Sequence, residues 1–265
     1  MQIKKIKKTL ISFLGIFLIG QSVCLASSES SLIEKCREIK GIFPNLKVSE
    51  IREAPIPDMC EVWVGTNVIY YHPKTKLIIF GEIWTVEGKS LTQEARYKMI
   101  MARASKLDLS KAIKWGTGPV KVILFTDPNC PHCKRLKKML FTSVFEKDIT
   151  AYVFLYPLSP VTRGYAETVL CAEDPVKKML DFASGNITEA DRNPSKECKE
   201  RVKDRLEAMI KAGNELSISG TPFLIIEDEI IGGADLPKIL QTIAEKKAKF
   251  EKFELEKSEK QNKTK

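Results

Sequence analysis

Histidine is almost missing from this chain: of 265 residues, only His72 and His132 carry an imidazole. The single Cys-x-x-Cys, at residues 130–133, has no second copy. A structural zinc site takes about four nitrogen or sulfur ligands, so too few candidates are available. Covalent haem attachment needs a histidine directly after the second cysteine, and Lys134 stands there instead. No metal and no cofactor is therefore expected.

Long apolar runs are equally scarce. The run at residues 10–25 is too short and too close to the start to be a spanning helix. No second run of spanning length follows, which excludes a multi-pass membrane protein. Basic charge is absent from the place where nucleic acid would need it. The formal net charge is +9, but residues 1–26 hold four lysines and no acid, and residues 246–265 hold eight lysines against four glutamates, leaving about +1 for residues 27–245. A folded body without a basic patch or stripe predicts no nucleic-acid partner.

What is present, 43% apolar and 29% charged residues, suits one or two globular domains with a real core. Met1–Lys8 reads as a positive n-region and Leu10–Gly20 as an apolar h-region. Cys24-Leu25-Ala26 ends in the small residue a signal peptidase prefers, so a cleavable secretory signal is expected, with the mature chain starting near Ser27. Lipid attachment at Cys24 is the alternative, disfavoured by the size of Val23. A periplasmic or extracellular location follows, and with it an oxidising environment. Without Cys24 six cysteines remain, an even number compatible with full pairing.

Along the mature chain, Leu32, Ile33, Cys36 and Ile39 share one face of a short amphipathic helix over 28–40. Residues 47–52, 59–65, 67–72 and 77–86 are β-rich and separated by turn material, predicting a small antiparallel sheet. Roughly 60 residues are marginal for an independent core, so this module should lean on a partner or a disulfide. Cys60 alternates with Val62 and Val64 and faces inward, as does Cys36, so the two can meet. Trp63, Trp84, Tyr70 and Tyr71 are expected as core or dimer contacts, and His72 as a surface loop residue. Ser90-Leu91-Thr92-Gln93 opens a connecting helix to about Lys106. Val120–Thr126 reads as a strand buried on both faces, 131–147 as a helix, and 149–156 as a strand. A mostly helical stretch over 161–212, two short strands and a helix over 236–249 follow. This order predicts an α/β sandwich around a mixed sheet, preceded by an α+β module.

Cys130-Pro131-His132-Cys133 falls where the buried strand passes into a helix. That position sets the first sulfur beside unpaired amides and the positive end of the helix dipole, so Cys130 is expected to ionise easily. Pro131 suits the first turn, and His132 can add a donor or a positive charge near the sulfur. Cys133, one turn in, is placed to resolve a mixed disulfide on Cys130. A purely structural disulfide is the bland alternative, but so small a ring constrains the unfolded chain little.

Phe125-Thr126-Asp127-Pro128-Asn129 before the cysteines, Leu170-Cys171-Ala172, and Ser219-Gly220-Thr221-Pro222 together resemble the periplasmic DsbC/DsbG-type protein disulfide isomerases. Phe43-Pro44-Asn45-Leu46-Lys47-Val48, Pro55-Ile56-Pro57 and Gly81-Glu82-Ile83-Trp84 are similar to the same family's amino-terminal dimerisation module. The resemblance implies a V-shaped homodimer acting on unfolded or misoxidised secreted proteins, and a membrane electron donor of the DsbD type. It implies a cis Thr221–Pro222 bond beside the active cysteines, with the Thr221 backbone open to a substrate strand. It also implies a structural Cys171–Cys198 disulfide, with two separate buried thiols as the alternative.

Two departures from the family pattern stand out. Its members typically carry Gly-Tyr between the cysteines, whereas Pro-His is the pair of the oxidase DsbA, so a dithiol oxidase stays open as an alternative, as does a noncatalytic holdase. Leu124 replaces the buried acid of thioredoxin and DsbA, so the Cys133 proton must pass to water or to some other group. The expected division is a signal peptide at 1–26, a dimerisation domain at 27–88, a linker helix at 89–113, a thioredoxin-like catalytic domain with a helical insertion at 114–250, and a charged tail without structure at 251–265.

Overall fold

The computed structural model describes residues 26–263. The expected signal segment and Cys24 lie outside the described residues. Among those residues, no helix is long and apolar enough to cross a membrane.

The chain opens with α1 (Ala26–Cys36) and the short α2 (Ile39–Ile42). A four-stranded antiparallel meander follows, in the order β1 (Val48–Glu53), β2 (Cys60–Val64), β3 (Asn67–His72), β4 (Leu77–Ile79). Alternation along β2 and β3 divides the buried side chains between two faces. Cys60, Val62 and Tyr71 pack with Cys36 and Ile39, while Trp63, Val68 and Tyr70 pack with Met59 and with Met99 of the next helix. The β-rich reading of 77–86 overreaches: pairing stops at Ile79, and beyond it only Trp84 makes an isolated bridge, to Ser90. Trp84 is 58% exposed, unlike the fully buried Trp63, Tyr70 and Tyr71.

The connector α3 (Leu91–Ala104) starts at Ser90, whose hydroxyl accepts the Gln93 amide at 3.1 Å. Thr92 fixes the helix to the sheet, its hydroxyl 2.6 Å from that of Tyr70 and accepting the Ile83 amide at 2.8 Å. A short 3-10 turn (Leu109–Lys111) leads to the edge strand β5 (Ile113–Trp115).

The second sheet takes in β5, β6 (Val120–Thr126), β7 (Ile149–Leu155), β8 (Phe223–Ile226) and β9 (Glu229–Gly232), in the order β5-β7-β6-β8-β9. Only β6 and β7 are parallel, with Val122 opposite Ala151 and Leu124 opposite Val153. The crossover between them is α4 (Pro131–Leu140). It is shorter than its hydrophobic spacing suggests: Phe141 caps it, and Val144, expected on its apolar face, is 70% exposed in the turns leading to β7.

Between β7 and β8 comes the helical insertion, α5 (Pro160–Cys171), α6 (Pro175–Ala183), α7 (Glu189–Arg192) and α8 (Lys196–Glu215). The end of α5 is joined to the first turn of α8 by a Cys171–Cys198 disulfide. Gly164 permits the close approach of α5 to α7, because a Cβ there would meet the Arg192 carbonyl oxygen at 1.8 Å. The last helix, α9, runs from Leu236 to Lys263, well past Lys249. The tail expected to lack structure is helical to Lys263 because lysine and glutamate recur at i,i+4, as in Lys247–Glu251 and Lys252–Glu256, although its side chains from 251 to 261 are exposed.

The module meets the second domain at Thr66, whose amide donates to Ser217 Oγ at 2.9 Å and whose hydroxyl donates to the Leu216 carbonyl at 3.2 Å. The connector α3 adds Arg103, which donates to the Glu215 carbonyl at 2.6 Å, and Tyr97, whose hydroxyl donates to the Asp228 carbonyl.

Candidate active site

Six of the seven buried-strand positions of β6 are enclosed, and only Lys121 points out. That run delivers Thr126 and Asp127, both buried, to the carboxyl end of the central strand. Asp127 then folds the following loop back on itself. Its Oδ1 accepts the Asn129 amide at 2.8 Å and the Cys130 amide at 3.2 Å, while Oδ2 accepts the Leu158 amide at 2.8 Å across the loop leading into α5. Lys134 steadies the same loop through Asn129 Oδ1 at 2.7 Å.

Cys130 is the residue before α4, with extended backbone, and Pro131 takes the first helical position. The Cys130 sulfur is half-exposed and donates to the Thr221 carbonyl at 3.4 Å. That contact brings 130 and 221 together across 91 residues of chain, and the Thr221–Pro222 peptide is cis. Cys133 is wholly buried beneath Cys130, and both carry free thiols. Burial pushes the Cys133 thiol up to about 11. The Thr126 and Thr221 hydroxyls act on that sulfur in the opposite direction, although neither closes a hydrogen bond with it or with any other group. His132 is exposed, and no hydrogen bond or ion pair joins it to another described residue.

The other cysteines lie away from this site: Cys36 is disulfide-bonded to Cys60 in the module, and Cys171 to Cys198 in the insertion. Among the described residues, no three of histidine, cysteine, aspartate and glutamate come together as a metal-binding group.

Two neighbours of the cysteines escaped the reading of the sequence. Asp127 stood inside a noted stretch without a role. Lys137 carried no reading at all, yet it is fully buried. The signal for it was available, since 133, 136, 137 and 140 make an i, i+3, i+4, i+7 stripe, the pattern of an inward helix face.

One half-exposed and one buried thiol, a turn apart at the start of a helix and facing a backbone carbonyl on a mixed sheet, define the thiol-disulfide oxidoreductases built on the thioredoxin fold. Comparison with known proteins narrows the class. Residues 25–93 match the disulfide bond isomerase protein N-terminal domain family and residues 106–245 the thioredoxin-like domain family. The chain is 32% identical over 199 residues to a probable thiol:disulfide interchange protein DsbC of Bordetella avium, covering 74% of this chain and 68% of that one. It is 23% identical over 230 residues to the thiol:disulfide interchange protein DsbC of Escherichia coli K12, covering 85% and 91%. Among solved structures, alpha-DsbA2 of Wolbachia pipientis aligns with 24% identity and a TM-score of 0.46, over 57% of this chain and 97% of that one. The alignments span 63–68% of the length of the Bordetella relatives. The chain belongs to the DsbC family.

Proposed function

We propose that this protein rearranges or reduces wrong disulfides in secreted proteins of the periplasm, through Cys130 and Cys133. The observation that carries the reading is the unequal placement of the two sulfurs, one half-exposed at the helix start and the other wholly buried one turn in. Cys130 attacks a substrate disulfide and forms a mixed disulfide. Cys133, held protonated by burial, resolves it when the substrate fails to rearrange. The Thr221 carbonyl and Pro222 border the sulfur, and a substrate strand could pair with the backbone there. Leu158 and Val161, both about half-exposed, offer apolar surface on the far side of the Asp127 loop. His132, exposed beside the pair, tunes the thiolate of Cys130.

A homodimer formed through residues 27–88 completes the reading. Its support is the open edge at β4, where Leu77, Phe80, Trp84 and Val86 are all more than half exposed on a module with little core of its own. The catalytic unit is taken as 114–250 with 89–113 as the linker. An isomerase must be kept reduced, which calls for a membrane electron donor of the DsbD type.

Cys130→Ser should abolish reactivation of a protein with scrambled disulfides. Activity surviving that change would leave a noncatalytic holdase as the reading. The Pro131-His132 pair favours a second reading, a dithiol oxidase. The redox state of the pair in cells, trapped with an alkylating reagent, decides between them: mostly reduced protein fits isomerisation, mostly oxidised protein fits oxidation. Replacing Pro131-His132 with Gly-Tyr should lower the reduction potential, each 30 mV corresponding to about 1.4 kcal/mol. Sedimentation as a monomer at micromolar concentration would argue against the dimer and for the oxidase.

A further inference from the structure

The side chain of Lys137 has no place in the exchange chemistry described so far, and its position is costly. It is fully buried on the face of α4 that also carries Cys133, Leu136 and Leu140, and its Nζ has no hydrogen-bond partner. A buried amine left unpaired is rare because its charged form loses hydration without compensation. Two more orphaned polar atoms, Thr126 Oγ1 and Thr221 Oγ1, act on the same sulfur. Among the described residues four buried side-chain nitrogen or oxygen atoms lack a hydrogen-bond partner; three of them gather about the buried half of the dithiol, and the fourth, Arg96 Nε, is in the connector α3.

Lys137 follows Cys133 by four residues, so both lie on the inward face of one helix, a turn apart. The charged groups acting on it are Cys133 first, then Asp127 at the end of β6, Lys134 one turn back, and Cys130. The helix packed against α4 on the other side, α6, supplies no competitor, because its Lys177 and Lys178 pair with Asp181 and Asp191. Leu124 occupies the strand position of the usual buried acid and is wholly apolar.

We propose that the Lys137 amine is the base that takes the proton of Cys133 when Cys133 attacks the mixed disulfide on Cys130. The inference rests on the exchange reading above and deepens it. In the step, the Cys133 S–H bond breaks and its proton passes to Nζ. The sulfur bonds to Cys130 Sγ, and the bond from Cys130 to the substrate sulfur breaks with its electron pair on that sulfur, which is protonated from water. The cysteine pair is oxidised and the substrate sulfur reduced. In the reverse direction the ammonium returns its proton to Cys133 as that sulfur leaves. Burial favours the required neutral form, pulling Lys137 down to about 8, close to working pH.

The test is rapid-quench trapping of the mixed disulfide between Cys130 and a cysteine-containing peptide, following its resolution from pH 6 to 10. In the wild type the resolving rate should climb with pH and level off near pH 8. Lys137→Met should be at least tenfold slower at pH 7, given that general bases contribute roughly 10²–10⁴-fold, and should keep climbing without levelling below pH 10. Lys137→Arg, which keeps the charge but cannot release its proton, should behave like Lys137→Met. Resolution within twofold of wild type in Lys137→Met across pH 6–9, or a wild-type profile in Lys137→Arg, overturns the proposal. A second measurement needs no variant: in reduced wild-type protein labelled at lysine Nζ, nuclear magnetic resonance should show one lysine titrating below pH 9, and its absence overturns the proposal too. Formation of the mixed disulfide at Cys130 tests the exchange reading itself, whereas insensitivity of its resolution to residue 137 overturns this inference alone.

Discussion

In the amino-terminal module the buried apolar residues form two small groups, five on either side of a thin sheet, and one of the ten, Met99, is borrowed from the connecting helix. In the second domain a single core holds 34 buried residues, of which only Ala104, Ala112 and Ile113 come from the linker. The module compensates with covalent and polar ties: the Cys36–Cys60 disulfide inside one group, and the Tyr70–Thr92–Ile83 hydrogen bonds beside the other. The larger domain has surplus burial and spends it at its active end, where Lys137, Thr126 and Thr221 sit without partners. A small core must be stapled, while a large one can carry unfavourable chemistry.

The largest effect should come from cutting into the single core. Phe125 is fully buried, stacked on Phe154 at 4.8 Å and edge-on to Tyr156 and Phe223. Phe125→Ala should lower stability by about 3–5 kcal/mol in urea denaturation. A cost below about 1 kcal/mol would mean that this core is not the unit described here. Removing the staple comes next. Cys36→Ser with Cys60→Ser opens a loop with a sequence separation of 24, worth about 3–4 kcal/mol in the chain-entropy model. The module should then melt in a separate, earlier transition by calorimetry, and a single unchanged transition would erase the contrast between the regions.

Lys137→Met should act in the opposite direction and raise stability. The folded protein holds this amine near 8 against an ordinary 10.5, so the burial cost is present in full below pH 8 and is relieved as pH rises towards 10.5. The gain should be about 3 kcal/mol at pH 7 and should fade over that window. A gain equal at pH 7 and pH 10 would show that shape, not charge, is the cause. Smallest is the cap that carries the module into the connector: Ser90→Ala should cost about 1 kcal/mol, measured by urea denaturation of the disulfide-intact protein.

The sequence was most legible where one period dominated. The strand Val120–Thr126 could be delimited to the residue because its apolar run ends at Asp127-Pro128. The cysteine pair announced its chemistry through its spacing and its place between strand and helix. Legibility failed where tertiary structure overrode the local pattern. The helical spacing of Leu136, Met139, Leu140 and Val144 continues past Phe141, but the chain must turn there to bring β7 alongside β6. Residues 80–86 have strand composition without a strand to pair with in the chain itself. The lysine-rich end of α9 carries Phe250, Phe253 and Leu255 but leaves them exposed, so its i,i+4 charge pairing was the helical signal to read. Lys137 was hidden by residue type, since a lysine in an amphipathic helix is assigned to water unless its register is checked.

Both oxygens of the Asp127 carboxylate are already committed, one to the amides of Asn129 and Cys130 and the other to the amide of Leu158. The segment bearing the reactive sulfur and the segment that opens the helical insertion are therefore hinged on the same pin, and neither can shift without pulling on the other. An asparagine at 127 would fit the space but hold only one side, because its amide nitrogen would confront a backbone N–H with another donor. The wall of the cleft beside Leu158 would then come loose from the floor that carries Cys130.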